Sequence, residues 1–237
     1  MRIVLLHGFS DSGRCWSPWL AFFVRFAEVN APDARGHGGA PLPQEPFGAA
    51  QHLADLIPHL DTPSVLVGHS MGAVTAALAA ANHPALVRAV VLEDPPWRPD
   101  DGAWDPSPHR EWITRMQSTP LTERAAQCHA ENPHWSHHEV VPWAESKGQV
   151  DPALFDRPIE WLSEPWRETA AAIAVPALLL TGDPALGGII GADDASWVAA
   201  NTSIEVVTIA GAGHSIRRDR PARYRAAVSR FLERLEP

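Results

Sequence analysis

Short apolar runs recur along the chain and alternate with longer segments in which apolar residues have helical spacing. The runs have the length of buried strands, and turns rich in Gly, Pro and Asp follow them. Strands that alternate with helices form parallel sheets covered by helices on both faces. The pattern therefore predicts an α/β fold with a mostly parallel, twisted sheet of about six strands, at residues 2–6, 28–31, 65–67, 86–92, 177–180 and 204–209.

The segments between these runs predict the flanking helices. Residues 15–26 carry bulky apolar side chains on one side, and residues 73–82 are rich in alanine. Residues 47–60 have a helical pattern that a proline near its end must bend or terminate. Asp219 is a suitable N-cap for a terminal helix that has Pro221 in its first turn.

The composition changes between residues 95 and 170. Seven of the ten tryptophans fall in this stretch, together with many prolines and no strand-like run. Prolines cut short two helical patterns, at 110–117 and 122–131. Because so much aromatic surface has to be buried, we expect a helical cap at 95–170. It is inserted after the strand ending at 92, into a core domain formed by 1–94 and 171–237.

Composition and charge limit the class of protein. The chain has 237 residues, of which 45% are hydrophobic and 20% charged, as in ordinary soluble domains. Its formal charge of −9 argues against nucleic acid or an anionic membrane as a partner. Cys15 and Cys128 lack the spacing of a disulfide framework or a zinc site. No apolar run is long enough for a membrane span or a signal peptide, so we expect a cytoplasmic protein with free thiols.

One apolar run leads directly into Gly68-His69-Ser70-Met71-Gly72, and the alanine-rich segment follows. A strand, a tight turn and a helix in this order form a nucleophile elbow, which exposes a strained serine at the carboxyl edge of the sheet. The two glycines lack a Cβ atom, and this lets the strand and the helix approach closely. Ser70 is therefore the predicted nucleophile.

A serine hydroxyl needs a neighbouring base, and histidine suits this role because its ordinary pKa is close to neutral pH. The chain has twelve histidines, so position must select among them. His214 lies at the end of the last predicted strand, behind flexible glycines, and it follows the serine along the chain. His214 is the predicted base.

A carboxylate must orient that histidine and stabilise its charged form. Asp94 follows the strand next to the elbow strand, and Asp183 follows the next strand along the chain. Both are expected at the carboxyl edge of the sheet, whereas Glu93 should point away from Asp94 if the strand continues that far. We favour Asp94 and keep Asp183 and Glu93 as alternatives.

The remaining site residues follow from the position of the elbow. An oxyanion hole should use the backbone N–H of the residue after the nucleophile and one from the loop after the first strand. These are the N–H groups of Met71 and Phe9. Substrate pockets are mostly apolar and aromatic, so Trp97 and Trp143 are expected to line the pocket.

Two further polar clusters are interpreted as structural. Asp33, Arg35 and His37 form a charged turn that we expect to brace the edge of the sheet. The histidines of residues 134–138 lack the spacing of a metal site, so we interpret them as solvated side chains. These two clusters therefore predict no metal site.

With these residues located, the chain resembles the α/β-hydrolase superfamily. The matching motifs are His7-Gly8-Phe9, Asp33-Ala-Arg-Gly-His-Gly38, Gly68-His-Ser-Met-Gly72 and Gly213-His214, in the family's order and spread over the whole chain. The resemblance implies a cofactor-free hydrolase with a Ser–His–acid triad and a cap after the sixth family strand.

Two departures from the family pattern bear on these predictions. The chain begins at what resembles the third family strand, so the usual first hairpin is missing and the strand with Val29 is expected at a sheet edge. The usual acid position after the seventh family strand holds Ala185. The chain is more similar to subfamilies, including many haloalkane dehalogenases and zearalenone lactonases, whose acid lies 24 residues after the nucleophile. Ser70 and Asp94 have this spacing.

The type of nucleophile narrows the expected chemistry. Haloalkane dehalogenases and epoxide hydrolases carry Asp at the elbow and dienelactone hydrolases carry Cys, whereas this chain has Ser70. Serine implies hydrolysis of a carboxylic ester or lactone through an acyl-enzyme. The leading hypothesis is a capped hydrolase of this kind that acts on a small, fairly apolar substrate. The alternatives are a carbon–carbon hydrolase or lyase and a cofactor-free perhydrolase on the same triad. Outside enzymes, the alternative is a small-molecule receptor that retains the triad.

Overall fold

A single parallel sheet forms the centre of the protein. The computed structural model describes residues 2–97, 107–156 and 165–235. The strands are β1 (Arg2–Leu6), β2 (Glu28–Asn30), β3 (Ser64–His69), β4 (Val87–Glu93), β5 (Ala177–Thr181) and β6 (Glu205–Thr208). Their spatial order is β2-β1-β3-β4-β5-β6, and every neighbouring pair is parallel. The predicted α/β architecture is confirmed, and Val29 lies on an edge strand of the described sheet.

Helices cover both faces of this sheet. They are α1 (Leu20–Phe23), α2 (Ala49–Leu56), α3 (Met71–Asn82), α4 (Ser107–Ser118), α5 (Leu121–Glu131), α6 (His137–Lys147), α7 (Trp166–Ala172), α8 (Ala192–Asn201), α9 (Ile216–Asp219) and α10 (Pro221–Leu232). Side chains of a strand alternate between faces. Accordingly, Val4 and Leu6 pack into one buried cluster with α2, α3 and α8, and Ile3 and Leu5 pack into another with α1 and α10.

Two predicted helix features differ from the structure. The helix expected at 15–26 begins as a 3₁₀ turn, Gly13–Trp19, and is α-helical only in α1. Pro18 lies within this turn, where it lacks the N–H group that an α-helix requires. The N-cap assignment of Asp219 was wrong, because α9 extends the helical backbone to Asp219 and Arg220 is the N-cap of α10.

The described residues between β4 and β5 are helical and turn segments without a strand. They comprise α4, α5, α6, the 3₁₀ turn Pro152–Asp156 and α7, which we call the inserted helices. Helix α7 runs through the domain boundary predicted at residue 170, and Trp104 and Trp161 lie outside the described residues. The division into core and cap therefore stays a prediction. None of the described helices is long and apolar enough to cross a membrane.

Candidate active site

The turn between β3 and α3 holds Ser70 in a strained conformation, with φ 52° and ψ −118°. Side chains other than glycine rarely adopt positive φ, and such strain clusters at functional sites. The neighbouring glycines permit the tight approach, because a Cβ atom on Gly68 would lie 2.3 Å from the carbonyl oxygen of Gly72. The Ser70 N–H donates to the Glu93 carbonyl at 2.9 Å and so ties the elbow to β4.

His214 and Asp94 form a hydrogen-bonded pair at the carboxyl edge of the sheet. His214 Nδ1 lies 2.7 Å from Asp94 Oδ2. Because a carboxylate only accepts, Nδ1 carries the hydrogen and Nε2 keeps its lone pair. The fully buried Asp94 carboxylate also accepts the backbone N–H of Ile189 at 2.9 Å and of Ile190 at 3.3 Å. These contacts fix the carboxylate in one orientation.

The two alternative carboxylates have other partners. Asp183 accepts the N–H of Ala185 at 2.9 Å and thereby caps the short 3₁₀ turn Pro184–Leu186. Glu93 is fully buried and accepts the backbone N–H of Arg217 at 2.8 Å and its guanidinium at 3.1 Å. Burial raises the pKa of Glu93, against the opposing effect of Arg217. Of the three candidates, Asp94 is the one bonded to His214.

His214 lies beside the residue that precedes Ser70. The rings of His69 and His214 are 4.7 Å apart between centroids, and His69 Nε2 lies 3.2 Å from the His214 carbonyl oxygen. His69 pairs with Glu93 in the register of β3 and β4. Ser70 and Asp94, which follow this pair, therefore leave the sheet side by side, and the predicted triad residues converge on one edge.

The loop after β1 passes directly over Ser70, since a Cβ atom on Gly8 would lie 3.2 Å from Ser70 Cβ. The Gly8 carbonyl accepts the N–H of Asp11 at 3.1 Å and lies 2.8 Å from His7 Nδ1. The C=O and N–H of one peptide plane point in opposite directions. These two bonds therefore set the direction of the Phe9 N–H. Its role, like that of Met71, stays a prediction.

The side chains of the charged turn at residues 33–39 are bonded within the protein. The Asp33 carboxylate accepts two backbone N–H groups, at 2.7 and 2.9 Å. Arg35 donates twice to Asp55, at 2.6 and 2.8 Å. His37 Nε2 accepts the N–H of Ser10 at 3.1 Å. The turn is thus bonded to α2 and to the loop over Ser70.

Four histidines around these loops are buried as neutral rings: His7, His37, His52 and His69. Burial lowers the pKa of each, to about 3 for His52 and well below 6.5 for His37 and His69. The unfolded chain therefore binds more protons than the folded protein at acidic pH, so the free energy of unfolding falls as the pH drops below about 6.5. The slope contributed by each such histidine is about half of 1.4 kcal/mol per pH unit at pH 6.5, and it approaches about 1.4 kcal/mol per pH unit further below, until the folded-state pKa is reached.

Replacing one of these rings should reduce that acid sensitivity. His52 packs edge-on against Phe47 at 4.6 Å, and its Nε2 has no hydrogen-bond partner among the described residues. His52→Leu is therefore expected to lose about 1 kcal/mol less unfolding free energy than the parent between pH 6.5 and 5.5. Urea titrations at the two pH values measure this, with His59→Leu, an exposed site on the same segment, as control. Equal pH slopes for His52→Leu and the parent would contradict the prediction.

The two predicted pocket tryptophans lie in different places. Trp97 is buried in the large core cluster and stacks on Trp166 at 5.4 Å with an interplanar angle of 9°. Trp143 is half-buried on α6, with the Lys147 ammonium 4.8 Å from its ring centroid. Lys147 Nζ also lies 2.9 Å from the Ser10 carbonyl oxygen. Trp143 is thereby placed next to the loop over Ser70.

Sequence reasoning missed a buried charge cluster below these loops. All six of its side chains are buried, and their charges balance because three are acidic and three are basic: Asp11, Glu93, Glu139, Lys147, Arg217 and Arg218. The Asp11 carboxylate accepts hydrogen bonds from the Lys147 ammonium and the Arg218 guanidinium, each at 2.8 Å. The same guanidinium also donates to the Glu139 carboxylate at 3.3 Å. Glu139 and Lys147 belong to α6, so the cluster joins the inserted helices to the sheet.

Asp219 makes a second connection that the sequence did not reveal. Its carboxylate accepts the N–H of Gly213 at 2.7 Å and the indole N–H of Trp135 at 2.7 Å. His134 Nε2 lies 3.0 Å from the same carboxylate. The loop that carries His214 is thereby bonded to the segment between α5 and α6. Within the described parts of the chain, no group of three or more His, Cys, Asp or Glu side chains could hold a metal ion.

Comparison with known proteins agrees with this architecture. A family model described as the alpha/beta hydrolase family matches residues 3–227. The chain is 33% identical to Lipase LipV of Mycobacterium tuberculosis over 163 residues, which are 67% of this chain and 56% of that protein. It therefore spans little more than half the length of this relative.

Two solved structures show the same fold. E-2-(acetamidomethylene)succinate hydrolase superposes with a TM-score of 0.77 at 20% identity, covering 98% of this chain and 91% of the other. Est816, described as an N-acyl homoserine lactone degrading enzyme, gives a TM-score of 0.74 at 22% identity, covering 98% and 93%. With the family match over most of its length, the chain belongs to the alpha/beta hydrolase family.

Proposed function

We propose that the protein is a serine hydrolase that cleaves a carboxylic ester or lactone of a small, fairly apolar substrate. The observation that carries this proposal is the His214–Asp94 pair at 2.7 Å, next to the strained elbow that holds Ser70. The names of the similar proteins, a lipase and a lactone-degrading enzyme, support the same type of chemistry.

In the proposed mechanism, the Ser70 hydroxyl attacks the substrate carbonyl while His214 Nε2 takes its proton. The tetrahedral intermediate carries its negative charge towards the N–H groups of Phe9 and Met71, each worth about 3 kcal/mol of transition-state stabilisation. The imidazolium, stabilised by Asp94, protonates the departing alkoxide and leaves an acyl-enzyme. Water activated by His214 then attacks the acyl group, the acid departs, and the proton returns to Ser70.

We further propose that residues 95–170 form a cap over this site. Within that stretch, α6 contacts the loop after β1 through Lys147, and Trp135 contacts the His214 loop through Asp219. A cover over Ser70 would exclude water and supply an aromatic pocket.

A panel of p-nitrophenyl esters, from acetate to laurate, together with aliphatic lactones followed by pH-stat, tests the proposed function. We expect turnover with a preference for short acyl chains. Heat-denatured protein corrects for spontaneous hydrolysis. If no ester or lactone is turned over, while a small apolar ligand binds tightly and raises the melting temperature, the receptor alternative is favoured instead.

Trp143 is expected to contribute to substrate binding because of its place beside the loop over Ser70. Trp143→Ala should raise KM for an apolar acyl ester about tenfold, which corresponds to about 1.4 kcal/mol of lost binding. Steady-state kinetics measure this. Trp197→Ala, on α8 outside the inserted helices, is the matched control and should keep KM within about twofold. Equal KM values for the two variants would show that Trp143 does not contribute to substrate binding.

A further inference from the structure

Ser10 is held in an unusual backbone conformation from both of its sides. Its φ is 63°, in the left-handed region that residues other than glycine rarely adopt. Its N–H donates to His37 Nε2 at 3.1 Å, and its carbonyl accepts from Lys147 Nζ at 2.9 Å. Strained residues persist only where surrounding contacts over-determine them. The two contacts together fix both backbone dihedrals of Ser10.

Lys147 is placed to act on this loop. Its side chain is 1% exposed, and the ammonium reaches Ser10 O at 2.9 Å, Asp11 Oδ1 at 2.8 Å and Ser146 Oγ at 3.3 Å. An ammonium has three hydrogens to donate, and two of these contacts are to the loop. Burying a charge is costly, and a well-packed apolar side chain often stabilises a core as well as a buried ion pair does. A merely structural role therefore explains this lysine poorly.

The position of Ser10 controls the predicted oxyanion donor. Phe9 lies between the Gly8 carbonyl, fixed by His7 and Asp11, and the N–H of Ser10, fixed by His37. The Ser10 carbonyl and the Asp11 N–H belong to one peptide plane, and that N–H donates to the Gly8 carbonyl at 3.1 Å. If the Ser10 carbonyl rotates after the Lys147 contact is lost, this bond breaks, and one of the two contacts that set the direction of the Phe9 N–H is lost with it. An oxyanion donor needs placement within tenths of an ångström to stabilise the transition state.

We propose that Lys147, from the inserted helices, is a positioning residue for the oxyanion hole. It holds the loop of residues 7–11 so that the Phe9 N–H is directed towards Ser70 only when α6 is seated on the sheet. Its effect on catalysis rests on the proposed function, whereas its effect on the loop does not.

Glu139 provides a matched control for this proposal. It lies on the same helix and in the same buried charge cluster as Lys147. Its carboxylate accepts hydrogen bonds from Trp19 Nε1 at 2.5 Å and from Arg218 Nε at 3.3 Å. None of its described hydrogen bonds or ion pairs is to residues 7–11. Glu139→Gln should therefore weaken the anchoring of α6 without releasing the loop.

The first measurement is amide hydrogen exchange of the peptide covering residues 3–12, followed by mass spectrometry on the parent, Lys147→Met and Glu139→Gln. Lys147→Met should speed exchange of the loop about tenfold or more, because opening it no longer breaks a buried charged hydrogen bond. Glu139→Gln should leave this peptide unchanged. The measurement needs no substrate.

The second measurement compares catalysis with transition-state binding. Lys147→Met should lower kcat about 10- to 100-fold while KM stays within about twofold, and it should slow phosphonylation of Ser70 by a fluorophosphonate in proportion. A purely structural role would lower the melting temperature and leave the kcat of the folded fraction unchanged. If Lys147→Met does not fold, the double variant Asp11→Asn/Lys147→Met restores the charge balance and still lacks the contact to Ser10.

The outcomes separate the two proposals. Unchanged loop exchange in the folded Lys147 variant, single or double, overturns the positioning role whatever the activity. Faster exchange with unchanged kcat likewise overturns the link to the oxyanion hole. If the parent hydrolyses no ester or lactone, the proposed function fails, and the exchange data alone decide whether Lys147 holds the loop.

Discussion

Ser70→Ala is expected to lower kcat for any turned-over ester by about 10⁴-fold or more, because it removes the atom that forms the acyl-enzyme. Alanine keeps the Cβ atom of serine, so the elbow conformation at φ 52° is no more strained than in the parent. The folded protein should thus differ only in chemistry. Steady-state kinetics and the mass shift after fluorophosphonate treatment measure the loss independently of each other.

Ser64→Ala is the matched control for that experiment. Ser64 is buried like Ser70, but it begins β3 at the end of the strand far from the elbow, and its hydroxyl donates to the Thr62 carbonyl at 2.8 Å. Its loss should cost about 1 kcal/mol of stability and leave kcat within about twofold. If Ser70→Ala keeps a tenth of the parental activity or remains labelled by the fluorophosphonate, the loss of activity is far smaller than the removal of a nucleophile should cause. Ser70 is then not the nucleophile.

Asp94→Asn is expected to lower kcat by about 10⁴-fold. The carboxylate accepts His214 Nδ1 together with the N–H groups of Ile189 and Ile190. An amide has one accepting oxygen and an NH₂ group that only donates. At least one of these N–H donors must therefore face another donor, or the imidazole must adopt the wrong tautomer. The pH dependence of kcat for Asp94→Asn, compared with that of the parent, shows whether the residual activity depends on the ionisation of a different group.

Asp183→Asn is the comparison that decides the identity of the acid. Its role in the structure is to accept the Ala185 N–H, which an asparagine oxygen can also do. Its kcat should stay within about threefold of the parent. Collapse of activity in Asp183→Asn, with Asp94→Asn near the parental rate, would show that the assignment to Asp94 is wrong.

The parts of this fold that are determined locally could be predicted from the sequence. A strand, a glycine-flanked serine and an alanine-rich helix are contiguous in the chain, so the elbow at Ser70 could be located to the residue. The strand register then carries Ser70 and Asp94 to the same edge, because His69 pairs with Glu93. The expectation that Glu93 points away from Asp94 agrees with its contact to Arg217.

The parts that depend on distant packing could not be predicted. Asp11 and Arg218 are 207 residues apart, and nothing in their local sequence indicates that both are buried. The choice between Asp94 and Asp183 depends on the loop at 187–190, in which the N–H groups of Ile189 and Ile190 donate to the Asp94 carboxylate. Asp219 was misassigned because a helix N-cap and a partner for a loop N–H have the same sequence requirements.

The buried charge cluster has a practical consequence for chimeric proteins. Glu139 forms an ion pair with Arg218, and Lys147 forms one with Asp11. Grafting a foreign cap between β4 and β5 would therefore leave Arg218 and Asp11 buried without a partner charge, unless the graft supplies matching side chains. Swaps intended to alter substrate preference should therefore retain α6 from this chain and exchange α4 and α5, or else neutralise Asp11 and Arg218 at the same time.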